Sequence, residues 1–156
     1  MVFGMSMRAG LWTGLPDLDQ AEHRYQVVGC AADVDLLITY LSRPDCNDAT
    51  LEHFGRDTDA DGEADHNVVL AVRGPWGYVN FVDNAFSGWP KGDPAAPYVD
   101  EPYTDYPPGV GVSLPMFREL LLEFLATGRR PKVVEWYDEG ELFHSWRLQR
   151  MALHEK

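Results

Sequence analysis

NVVLAVRGPWGYVNFVDN, Asn67 to Asn84, holds two β-rich runs around Gly74-Pro75-Trp76-Gly77. Val, Phe and Tyr favour a pleated backbone, and a glycine–proline cluster between two such runs is a hairpin signal. A tight turn can only join antiparallel strands, because a parallel return needs a long crossover. This stretch therefore sets the class: a mostly antiparallel sheet, to which the remaining segments must be fitted.

Upstream of the hairpin, ATLEHFG (49–55) reads as a strand with Leu51 and His53 on one side and Glu52 and Phe54 on the other. RYQVVG, Arg24 to Gly29, reads as another short strand. Between them, Val34, Leu37, Ile38 and Leu41 recur at i, i+3, i+4 and i+7, one face of an amphipathic helix. Asp33 is its expected N-cap and Pro44 its stop. Downstream, SLPMFRELLLEFLATG (113–128) is the clearest helix. Ser113 caps it, Pro115 is tolerated in its first turn, and Phe117, Leu120, Leu121, Phe124 and Leu125 form its apolar stripe.

KVVEWY (132–137) is expected to be a strand. Ala85 to Pro108, crowded with Pro, Gly and aromatic residues, is expected to be a long ordered loop with one short strand near Tyr98-Val99-Asp100. Residues 1–22 carry no clear period and are expected to be an irregular lead-in, while the segment from Glu141 onward reads as strand, helix or both. The expected fold is α+β, a mostly antiparallel sheet with two main helices packed on one face, in a single domain over 1–156.

Charge narrows the partners. Thirteen basic residues face twenty-five acidic ones, a net charge of −12, and the 45% apolar share excludes a disordered chain. Such a surface repels phosphate backbones and anionic headgroups, so neither nucleic acid nor membrane is expected, and a basic protein is. No run of eighteen apolar residues exists. Gly4, Arg8 and Gly10 interrupt the mildly apolar N-terminus, which lacks the pattern of a signal peptide. Cys30 and Cys46 have no C-x-x-C partner, which suits a reducing cytoplasm, and both are expected as small buried side chains.

The sharpest polar pattern is DTDADG, Asp57 to Gly62. Asp57, Asp59, Asp61 and Gly62 match positions 1, 3, 5 and 6 of a helix–loop–helix calcium loop, but position 12, which needs a bidentate glutamate, is Val68. The alternatives are a solvated acidic loop and a calcium-binding module. His23, His53, His66, His144 and His154 are scattered without ligand spacing, and neither a nucleophile elbow nor a phosphate loop is present. A carboxylate-dependent enzyme stays as a further alternative, with no catalytic residue, metal or cofactor assigned.

FLATGRRPKVVEW, Phe124 to Trp136, reads as a joint. Gly128 suits the left-handed position after the helix, Arg129 and Arg130 meet the negative end of its dipole, and Pro131 prevents continuation. This helix–TGRRP–strand–EW segment resembles the signature of immunity protein family one of bacterial polymorphic toxin systems. The matching letters are Thr127, Gly128, Arg130, Pro131, Glu135 and Trp136. The DVDLLITYL helix, the acidic loop before NVVLAV and the GPWGYVNF hairpin follow the same order, so the resemblance spans about 24–137.

The resemblance implies a cytoplasmic antidote, not an enzyme, that binds and blocks the C-terminal domain of a cognate toxin. Toxins paired with that family are often nucleic-acid-directed, deaminases and nucleases among them. Such domains are basic around the substrate groove, and an acidic antidote is steered onto them. The residues expected to touch the toxin are Asp57, Asp59, Asp61, Glu63 and Asp65 of the acidic loop, with Trp76, Trp89 and Tyr103 as aromatic anchors. Trp136 is expected in the core.

Overall fold

A computed structural model describes residues 5–14, 17, 19–56, 62, 64–102 and 104–142. The hairpin is strand β4 (His66–Arg73) and strand β5 (Trp76–Asp83), paired antiparallel from His66↔Asp83 to Arg73↔Trp76. The turn is thus only Gly74-Pro75, and Trp76 and Gly77 already belong to β5. Gly74 takes a φ of 56°, and proline fixes a negative φ after it, the sign pair of a type II′ turn that matches strand twist.

Strand β3 (Ala49–His53) pairs with β4, burying Leu51 and His53 as the alternation predicts. The described part of the first twenty-two residues departs from expectation. Met7–Thr13 is a strand, β1, and it lies inside the sheet between β3 and strand β2 (Glu22–Val28). Both neighbours run antiparallel to β1, hence parallel to each other, so the helix joining them, α1 (Ala31–Leu41), is a crossover and packs on the sheet.

The N-cap of α1 is Cys30, not Asp33. Asp33 sits at the third helical position and its carboxylate accepts the Gly29 N–H at 2.9 Å, reaching back as the acid of a capping box does. Cys30 is exposed and only Cys46 is buried, which corrects half of the expectation for the cysteines.

The segment after β5 is more ordered into strands than its composition predicts. Strand β6 (Ser87–Pro90) joins the main sheet against β5. Strands β7 (Val99–Asp100) and β8 (Asp105–Tyr106) form a separate small ladder, and β9 (Val112–Ser113) pairs with the Trp76–Gly77 end of β5. Helix α2 (Leu114–Thr127) then begins with the Ser113 hydroxyl accepting from the Met116 N–H at 3.3 Å and ends at Gly128, φ 66°. The five predicted stripe residues are all buried.

The last strand, β10 (Trp136–Asp138), starts four residues later than expected. The Glu123 carboxylate accepts the Lys132 and Val133 N–H groups, so these amides are unavailable to a ladder. The sheet order is β10-β6-β5-β4-β3-β1-β2, antiparallel at each pairing, with β9 beside β5.

Both helices cover one sheet face, sharing a core built on Met7, Leu11, Leu37, Leu70, Phe81 and Phe124. The approach is close: a Cβ on Gly77 would stand 2.3 Å from the Phe117 ring. On the opposite face the β5–β6 half packs Ala71, Tyr78 and Trp89 against Tyr106 and Val110 of the following segment. No helix among the described residues is long and apolar enough to cross a membrane.

Candidate interaction surface

Of the eight residues expected to meet a partner, Asp57, Asp59, Asp61, Glu63 and Tyr103 lie outside the described residues. The calcium reading falls on the same loop positions. The other three are placed. Trp89 is corrected: at 1% exposure it is a core residue on the sheet face away from the helices, not a surface anchor. Its strand is anchored on both edges, by β5 and by β10, which turns the ring inward. Trp76 is half-buried and packs against the same cluster.

Asp65 is engaged by the fold itself. One carboxylate oxygen is 2.8 Å from Arg56 Nε and the other 3.2 Å from Arg56 Nη2, a bidentate pair. Arg56 also reaches Asp83 at 3.3 Å and donates to the Gly128 carbonyl at 3.0 Å. The acidic loop therefore leaves and rejoins the sheet at two residues locked to each other and to the end of α2. A planar guanidinium with five donors suits this four-bond junction, as an ammonium does not.

Two histidines complete the junction. His66 Nε2 accepts the His53 N–H at 2.9 Å, which places its hydrogen on Nδ1, 2.8 Å from Asp65. His53 Nδ1 accepts from Gly55, so its Nε2 donates to the Leu125 carbonyl at 2.9 Å. The terminal carbonyls of α2 are thus met by His53 and Arg56 from β3 and its exit. The arginine pair has another place: the Arg130 guanidinium lies 3.8 Å over the Phe86 ring. Phe86 meets Trp136 edge-on, and the half-buried Trp136 ties its indole N–H to the Pro131 carbonyl at 2.7 Å. Arg129, Arg130 and Lys132 line an open groove of about 590 Å³.

The hydrogen-bonded Arg56, with the His66 N–H, holds the Asp65 carboxyl below its ordinary 3.8 against the opposing effect of burial. A folded-state pKa below the unfolded one means that ionised Asp65 contributes stability fully present above the unfolded value and lost as pH falls through the folded one. Asp65→Asn is expected to cost about 1–3 kcal/mol at pH 7. Urea melts should show that deficit shrinking below about pH 3.8. Comparing variant with parent cancels the opposite trend of Glu101, whose carboxyl burial pushes up.

Sequence reasoning missed another surface. On the face away from the helices, β1 and β2 present Trp12, His23 and Tyr25 in a row beside β3, with ring centroids 4.9 and 4.5 Å apart. Arg8 lies 4.6 Å over Tyr25 and 3.0 Å from Glu52. The available signal was the alternation of MRAGLWT and EHRYQVV, which sends Arg8 and Trp12 to the side opposite Met7 and Leu11. Among the described residues, no group of three or more His, Cys, Asp or Glu is placed to hold a metal.

Nothing among curated proteins or solved structures matches the chain significantly. The model of a family described as "Immunity protein Imm1" matches residues 22–138, from the first residue of β2 to the last of β10. With well over half of its length inside that match, and the TGRRP joint and acidic loop within it, the chain belongs to the Imm1 immunity protein family.

Proposed function

We propose that this protein is the antidote of a polymorphic toxin system, acting in the bacterial cytoplasm by capping the C-terminal domain of a nucleic-acid-directed toxin such as a deaminase or nuclease. It works by binding and performs no chemistry of its own. The observation that carries this reading is family membership combined with a net charge of −12. A domain that acts on nucleic acid presents cations to a polyanion, and an acidic protein competes for the same field. An interface of ordinary size would bury about 800 Å² on each partner.

Asp57, Asp59, Asp61 and Glu63 stand within seven residues of sequence. They are the carboxylates assigned to steering, while Asp65 and Arg56 hold the base of their loop. Trp76, half-exposed at the hairpin end, and Tyr103 are the remaining aromatic contacts of the reading.

Co-expression of a cognate toxin domain with and without this chain tests the function; undiminished toxicity in its presence rejects it. Steering has its own measurement. Reversing charge at Asp59, Asp61 and Glu63 together is expected to slow association about tenfold or more at low salt and to flatten its salt dependence. Unchanged association kinetics would move the steering charge elsewhere.

A further inference from the structure

The sheet face away from the helices is used unequally. Over β5 and β6 it is buried under the segment carrying Tyr106 and Val110. Over β2, β1 and β3 it stays open, with Arg8, His23, Tyr25 and Thr50 lining a pocket that Ala64 borders. Tyr25 and Val27 are each 61% exposed there and Trp12 is 36% exposed. Single exposed apolar side chains are ordinary, but a contiguous row marks an interaction surface.

The rings are also held for contact. β1 has ladder partners on both sides, and His23 meets Trp12 and Tyr25 on its two flanks, so little side-chain freedom remains to be lost on binding.

Charge decides what covers this face. Three rings in a row would also stack bases, but a chain of −12 repels phosphates, and it repels a second copy of itself equally. A basic protein is attracted. The face already displays the relevant contact chemistry, since the Arg8 guanidinium rests over the Tyr25 ring. With Arg8 already over Tyr25, partner arginines or lysines would be met by the exposed Trp12 ring, and Tyr25 would offer its exposed edge and hydroxyl.

We infer that the open face of β2, β1 and β3 is the surface on which the basic toxin domain docks, with Trp12 and Tyr25 as its anchors. This rests on the immunity reading above and gives it a location.

The test is calorimetric titration of a catalytically inactivated cognate toxin domain into the full chain. Trp12→Ala and Tyr25→Ala are each expected to weaken binding about 30-fold or more, with the melting temperature little changed. Thr50→Arg, placing bulk and a cation on the exposed centre of the face, is expected to weaken it as well, and serves if an alanine variant folds poorly. Tight binding by wild type with equal affinity of the Trp12→Ala/Tyr25→Ala double variant overturns the docking face and leaves the immunity reading standing. No binding by wild type overturns both. Sedimentation supplies the other arm: a wild-type dimer that the double variant dissolves would make the face a self-interface and overturn the inference.

Discussion

A chain cut to residues 22–138, the span that matches the family, is expected not to fold. The cut removes β1, which is no appendage. It separates β2 from β3, pairing with β2 over Met7–Thr13 and with β3 over Met7–Gly10. Met7, Ala9 and Leu11 are completely buried beneath the helices. Its end is tied as well, by Trp12 N–H to Asn47 Oδ1 at 3.1 Å and Gly14 N–H to Asp45 at 3.2 Å. Without β1 the crossover helix α1 would sit over a gap and two strands would have open edges.

Losing Met7 and Leu11 from the core costs about 1.5–3 kcal/mol each before any ladder bond is considered. Domains of this size have only about 5–15 kcal/mol in total. Circular dichroism and amide dispersion should therefore report a collapsed or unfolded 22–138 fragment, while the full chain melts cooperatively. A cooperative melt of the shorter fragment would show that β1 is dispensable.

The same strand explains what the sequence conceals. The hairpin was legible because Val, Phe and Tyr surround a two-residue turn of unmistakable chemistry. Helix α2 was legible because cap, stripe and terminal glycine agree. In MRAGLWT the contrast is blurred: the inward set mixes Met7 and Leu11 with the small Ala9 and polar Thr13, while the outward set contains Trp12. A period-2 signal with its largest apolar residue on the open face reads as no signal. Local preference also failed at Lys132-Val133-Val134, where the Glu123 carboxylate, nine residues upstream of Lys132, takes amides that a strand would use.

The anchors of the candidate surface were misjudged for one reason. Exposure of an aromatic ring is a property of the sheet, not of its neighbours in sequence. Trp89 sits among Gly and Pro and looks like a loop tip, yet two flanking strands and Tyr106 bury it. Trp12 and Tyr25 received no assignment to core or surface from the sequence, yet the half-sheet that carries them leaves both exposed. Sequence separates these cases only when strand order is known, and β1 was the missing strand.

Arg56→Ala is expected to be the most damaging single substitution outside the apolar core, costing about 2–4 kcal/mol. The guanidinium joins Asp65, Asp83 and the Gly128 carbonyl, and the three charged side chains are only 14–20% exposed. Removing it leaves two carboxylates poorly solvated and close together, and leaves a helix-end carbonyl without its donor. Arg56→Lys should recover only part of the loss, because one ammonium cannot reproduce the fork. The pH dependence identifies the mechanism. A carboxyl that has lost its cation takes up a proton more readily, so the deficit of Arg56→Ala should narrow as pH falls from 7 toward 4. A deficit constant over that range would mean that the arginine acts by packing alone. Arg56 and Asp65 also bracket the acidic loop to which steering is assigned in the proposed function. Under that proposal the toxin-domain complex of Arg56→Ala should also weaken at temperatures where the variant remains folded.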